Sequence, residues 1–122
     1  MRKREKVSAL IKKCDNILSL LVRKRDKCCV CCGSKERLQC GHYISRRKKS
    51  VRFDLMNCNA QCSGCNIKHN YDIAPYTNYM LVRYGEQELK MLCEEAKKIK
   101  QWKALELHDL IDNFTEQLNT LE

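Results

Sequence analysis

The sequence predicts a small α+β protein in which a cysteine-rich finger sits between flanking N- and C-terminal helices. Apolar residues recur at helical spacing near both ends. Residues 27–72 hold eight of the ten cysteines with almost no helical period, and that region carries two short strand signals. With 122 residues, 43% hydrophobic and 32% charged, the chain has the size of one domain over 1–122 with one core at most. A domain this small needs a covalent or metal staple where it is loop-rich.

In chain order, the first element is an amphipathic helix over 5–26, inside a basic N-terminal segment 1–26. Val7, Leu10, Cys14, Ile17, Leu18 and Leu21 form its apolar stripe and Lys/Arg its other face. A strand follows over Arg37 to Ile44, with Ser50 to Phe53 as its antiparallel mate and Lys48-Lys49-Ser50 as the hairpin loop. After Pro75, Tyr76 to Tyr84 reads as a helix stopped by a left-handed cap at Gly85. Residues 86–101 form the next, apolar at Leu89, Leu92, Cys93, Ala96 and Ile99. The last runs over 103–121 on Leu107, Leu110, Ile111, Phe114, Leu118 and Leu121. This helical part, 76–122, reads as scaffold. Its last helix is the candidate contact for a second copy.

The net charge of +9 is unevenly placed. Residues 1–27 carry ten Lys/Arg against three acids, residues 44–52 carry five against none, and residues 86–122 carry nine acids against five bases. That polarity suggests a basic face for a polyanion and an acidic helical end pointing elsewhere. No apolar run approaches a membrane span, and the Met1-Arg-Lys-Arg-Glu-Lys start has no apolar export segment. The expected location is therefore the cytoplasm, where thiols stay reduced and close cysteine pairs read as metal ligands.

The strongest motif is Cys29-Val-Cys-Cys32-Gly33 with Cys62-Ser-Gly-Cys65 about thirty residues later. Two such knuckles can converge four thiolates on one structural Zn²⁺, with Gly33 and Gly64 supplying tight turns. Cys28 and Cys31 form an overlapping pair. Cys29 and Cys32 are preferred because Gly33 follows. Cys40 and Cys58 are left over, and read as small buried hydrophobes rather than a second site.

Between the knuckles, His42 ends the first strand directly before Arg46, Arg47, Lys48, Lys49 and Arg52. A neutral imidazole there can take a proton from water while the basic residues bind a phosphate, Arg46 and Arg52 foremost. If a helix begins at the second knuckle, Asn66 and Asn70 share a face with His69 beside them, and can hold a divalent cation such as Mg²⁺ or Mn²⁺. A lone histidine in a strand is more often structural; only these neighbours lift His42 above that.

The run Cys29 to Asn66, with Gly41-His-Tyr, Ser45-Arg46, Arg52-Phe53, Asn57 and Gln61-Cys-Ser-Gly-Cys-Asn66, resembles the phage NinG/Rap recombination endonucleases, and more broadly zinc-containing HNH enzymes. The likeness covers roughly residues 27–93 and implies a phage or prophage origin. It also implies a ββα-metal (HNH) fold and metal-dependent hydrolysis of DNA, with Holliday junctions and D-loops as substrates. By position it makes His42 the general base, Asn66 the metal-ligand asparagine, and Asn57 the asparagine bracing the loop that carries the base. Many HNH enzymes place a ligand immediately before the base. Here that position is Gly41, which leaves His69, Asn70 and Asp72, with Asp54 behind them, as candidate further ligands.

The competing class is a non-catalytic zinc ribbon binding nucleic acid or a protein through its basic face. It explains the cysteines and the charge equally well, but not why His42 and Asn66 occupy nuclease positions. A cysteine redox protein fits least, because no C-x-x-C sits at a strand-to-helix turn of a βαβ unit.

Overall fold

The computed structural model describes residues 5–121. The basic residues Arg2, Lys3 and Arg4 lie outside them. Helix α1 spans Val7–Asp26 and stops where Lys27 turns left-handed (φ 66°), its amide bonding back to the Arg23 carbonyl. Leu10, Cys14, Leu18, Leu21 and Val22 are buried, whereas Val7 is exposed and Ile17 only partly covered. Part of the helix's positive charge is spent internally. Arg25 donates to the Leu55 and Cys58 carbonyls and pairs with Asp26, which in turn accepts the Ala60 amide at 2.8 Å.

Strands β1 (Leu38–His42) and β2 (Cys58–Cys62) pair antiparallel, with Leu38 opposite Cys62 and His42 opposite Cys58. This corrects the expected mate. Lys49–Val51 is a single 3-10 turn within the connection 43–57, and Val51 and Phe53 are buried in two different cores rather than paired in a sheet. The Lys48-Lys49-Ser50 run therefore belongs to a long connection, not a tight hairpin. Helix α2 (Ser63–Lys68) follows β2 directly, capped by the Cys62 sulfur, which accepts the Cys65 amide at 3.4 Å. Gly64 lies inside α2 without a positive φ, so only Gly33 (φ 81°) uses glycine's freedom in the knuckles.

Helices α3 (Ala74–Tyr84), α4 (Glu86–Ala96) and α5 (Ala104–Thr120) complete the chain. Pro75 sits in the first turn of α3, where its missing N–H costs nothing. Gly85 takes φ 89° and ψ 164°, an extended glycine conformation rather than the expected left-handed cap, and so ends α3 and starts α4 at one residue. Helix α4 stops five residues earlier than its period suggests. Ile99 is fully exposed and Cys93 exposed, and the chain turns so that the Trp102 indole donates to the Lys49 carbonyl.

The two-stranded ribbon is covered on both faces, which replaces the expected single core with two. On one side Cys58 and Ala60 pack with Leu10, Leu18, Leu107 and Phe114 of α1 and α5. On the other, Val51, Tyr76, Met80, Leu92 and Ala96 form the second cluster. Burying each such leucine stabilises by about 1.5–3 kcal/mol. Leu107, Phe114 and Leu118 of α5 are buried against α1, whereas Leu121 at its end is exposed. Among the described residues, no helix is long and apolar enough to cross a membrane.

Candidate functional site

The sulfurs of Cys29, Cys32, Cys62 and Cys65 all lie within 4.8 Å of one another at the Leu38–Cys62 end of the ribbon. The first knuckle is shaped by its own backbone, with the Gly33 amide bonding to the Cys29 carbonyl (2.8 Å) and the Cys29 amide to Ser34 (2.7 Å). The ambiguity of the first pair is thereby resolved, since Cys31 points instead to Gln61, accepting from its Nε2 at 3.4 Å. Burial raises the Cys29 thiol, but main-chain donors from Cys62, Cys32 and Cys31 outweigh it and bring the pKa down to about 7. Cys65 is pushed far up, by burial first and then by sharing protons with Cys62, Cys32 and Cys29. Thiols this close cannot all ionise without a cation, so the donor set fits a tetrahedral Zn²⁺ and could hold it as a structural staple.

His42 stands at the opposite end of the ribbon, on the wall of a cleft of about 770 Å³. Its Nε2 lies 3.0 Å from the Arg52 carbonyl. A carbonyl can only accept, so Nε2 carries the proton and Nδ1 keeps the lone pair. Burial lowers the His42 pKa below its ordinary 6.5. The Arg52 carbonyl and Asp15 oppose the shift and the charges of Arg46 and Arg52 reinforce it, leaving the ring neutral at pH 7.

The connection carrying Arg52 is held by Asn57, which is fully buried. Its amide oxygen accepts from the Ile44 N–H (2.8 Å) and its Nδ2 donates to the carbonyls of Ile44 (2.9 Å) and Val51 (3.1 Å). That is the geometry of a brace across the loop between the two strands.

Arg46 and Ser45 line the cleft, as do Asn66, His69 and Asn70. Asn66 donates through Nδ2 to Gln39 (2.8 Å), which leaves its carbonyl oxygen unused. Helix α2 ends at Lys68, so Asn70 reaches the cleft from the turn behind it rather than from the same helical face as Asn66. His69 donates through Nε2 to the Tyr43 carbonyl (2.8 Å), and its Nδ1 is buried without a partner.

Other expected residues lie elsewhere. Asp72 pairs with Lys68 at 3.8 Å and accepts the Ala74 amide, and Asp54 accepts the Met56 amide; neither lines the cleft. Arg52 is engaged bidentately by Asp15 (2.6 and 3.1 Å). Arg47, Lys48 and Lys49 are exposed on the connection but do not line the cleft. Sequence reasoning missed the cleft's second wall, Asp15, Asn16 and Ser19 of α1. Its only signal was three uncharged or acidic residues interrupting a basic face. Gly41, beside His42, has its side-chain space filled by Gln61. A β-carbon there would overlap the Gln61 amide oxygen and lie 2.7 Å from its Cδ.

A family model described as Bacteriophage Lambda NinG protein matches residues 1–122. Protein ninG of Salmonella phage P22 is 28% identical over 121 residues, covering 87% of this chain and 60% of that protein. Protein ninG of Escherichia phage lambda is 26% identical, covering 87% of this chain and 59% of its own length. The chain thus spans about three-fifths of the length of these relatives. No solved structure matches.

Proposed function

Since the chain belongs to the NinG family of bacteriophage lambda, we propose that it is a metal-dependent DNA endonuclease of the HNH (ββα-metal) type, acting on branched recombination intermediates. The observation that carries this reading is the His42 ring, whose Nε2 is tethered to the Arg52 carbonyl so that Nδ1 keeps its lone pair, on a cleft that also holds Arg46 and three metal-type donors. The β1-β2-α2 order around it is the element order such enzymes use.

In this mechanism His42 Nδ1 accepts a proton from a water placed in the cleft, and the Arg52 carbonyl stabilises the imidazolium through Nε2–H. Asp15 adds a favourable charge to that protonated state and, by gripping Arg52, keeps the carbonyl in place. Arg46 binds the scissile phosphate. Asn66, His69 and Asn70 would hold a divalent cation, Mn²⁺ tolerating the imidazole better than Mg²⁺; when bound, it supplies positive charge at the leaving 3′ oxygen. The orphaned, buried Nδ1 of His69 is the observation that fits such a ligand. Cys29, Cys32, Cys62 and Cys65 would hold a structural Zn²⁺ that clamps α2 to the ribbon and so sets Asn66 relative to His42.

Branched substrates follow from the family likeness. A four-way junction needs two symmetric nicks, so a C₂ dimer is expected on it. The deciding experiment is cleavage of a labelled four-way junction beside linear duplex of the same sequence, with Mg²⁺ or Mn²⁺ and with His42→Ala. Cleavage that needs both cation and His42 supports the enzyme. Salt-sensitive binding without cutting, across cations and branched forms, would assign the chain to non-catalytic zinc ribbons.

A further inference from the structure

We propose that Cys40, His42 and Cys58 form a second metal site, for a thiophilic cation such as Zn²⁺, whose occupation removes His42 from water activation. The register makes the site. His42 faces Cys58 across the ribbon and Cys40 lies two residues back, so all three side chains leave the same face of the sheet. One donor atom from each lies within 4.8 Å of the others. This is a group separate from the four-cysteine cluster, which occupies the other end of the ribbon.

Two thiols and one imidazole are a zinc ligand set that leaves a fourth position open. Cys40 and His42 line the cleft while Cys58 is completely buried behind them, so the open position faces the cleft. The Cys58 thiol and His42 Nε2 both point to the Arg52 carbonyl, at 3.5 and 3.0 Å. The cation displaces the two thiol protons to solvent, and two thiolates balance Zn²⁺, so no net charge is buried.

Either ring nitrogen gives the same consequence. Ligation through Nδ1 consumes the lone pair that would take the proton from water. Ligation through Nε2 breaks the tether to Arg52. The inhibitory half of the proposal rests on the nuclease reading, and the metal site does not.

The test begins with protein carrying one equivalent of Zn²⁺, which the four-cysteine cluster takes. Co²⁺ is then titrated, and thiolate-to-cobalt charge-transfer absorption and proton release are followed. The expected result is a second thiolate-bound equivalent in the wild type. Cys40→Ser, at a half-buried position, and Cys58→Ala should each weaken it by more than about 10-fold, with unchanged far-UV circular dichroism; if Cys58→Ala unfolds, Cys40→Ser decides. A wild type that binds no second thiolate-bound equivalent overturns the site. So does a Cys40→Ser protein that binds one with wild-type affinity and spectrum. In cleavage assays, excess Zn²⁺ should slow the wild type but not Cys40→Ser, each relative to its own rate without added zinc. Undiminished cleavage with the second site filled overturns the inhibitory half. If the wild type cleaves no DNA with any cation, the nuclease reading falls and the inhibitory half with it, while the cobalt spectra still decide the site.

Discussion

His42 and Arg52 are joined by a side-chain-to-main-chain hydrogen bond of 3.0 Å, and the same arginine's guanidinium is held by Asp15 on the facing helix. The orientation of the proposed base is therefore set from α1 through one residue of the connection. Removing the base should cost about 10²–10⁴-fold in cleavage rate. His42→Ala should keep one tightly held zinc per chain and its DNA affinity. Loss of that zinc in metal analysis would sink the assignment of the four cysteines as its ligands.

The pH dependence follows from the lowered pKa of His42, which burial causes first and the charges of Arg46 and Arg52 reinforce. The base is active when neutral, so cleavage should rise through a midpoint below 6.5 and be flat at neutral pH. Stability has the same sign. The unfolded imidazole takes its proton near 6.5 and the folded one only at lower pH. The contribution of His42 is complete above 6.5 and is lost as pH falls from there through the folded value. A cleavage profile with its midpoint above 6.5 would contradict the buried, neutral ring.

Gly41 has no room for a side chain, because the Gln61 amide occupies that space. Gly41→Ala should lower stability by about 1–3 kcal/mol, the usual cost of overpacking. Gly41→Asp, which would supply the carboxylate many HNH enzymes carry there, should be no better. Shortening Gln61 in the same chain should relieve much of the loss. Urea midpoints that add independently for the two sites would refute the coupling.

Asn57→Ala would leave the Ile44 amide and the carbonyls of Ile44 and Val51 without their buried partner. The expected loss is about 1–3 kcal/mol, with faster hydrogen exchange at Ile44. Cleavage should fall more than stability, because the connection carries the Arg52 carbonyl. Unchanged exchange at Ile44 would show that the brace is not needed.

Removing zinc with a strong chelator should unfold the two knuckles and the start of α2, where the four cysteines would be ligated, before it disturbs Val51, Phe53, Cys58 and Ala60, which are buried in the two cores. The α1–α5 pair should keep helical signal, since Leu107, Phe114 and Leu118 pack directly on α1. A fully native circular dichroism spectrum after verified zinc loss would count against the staple.

What could be read from the sequence was what spacing encodes. The two knuckles, the helical stripes of α1 and α5, and a histidine followed by positive charge are linear patterns. The second strand was misplaced because Val51 and Phe53 alternate like a strand, whereas the real one, Cys58-Asn-Ala-Gln-Cys62, looks polar. Asn59 and Gln61 are tolerated at zero exposure because Asn59 meets the Tyr76 hydroxyl and Gln61 the Cys31 sulfur and Cys65 carbonyl. Tyr76 and Cys31 are distant in the chain, 17 and 30 positions away. Asp15 was invisible as a cleft residue for the same reason, as its contact with Arg52 spans 37 positions.

The amide of Val30, inside the first knuckle, donates to the Ala60 carbonyl at 2.9 Å, while Asp26 takes the Ala60 amide and Arg25 the Cys58 carbonyl. These are the outward-facing groups along the free side of β2, the side on which a foreign strand would add. The knuckle is thus also a guard against self-association. Once it opens, the Ala60 carbonyl is bared for β-pairing between molecules while Asp26 and Arg25 of α1 still hold its neighbours, so a metal-starved preparation should precipitate faster than a zinc-loaded one.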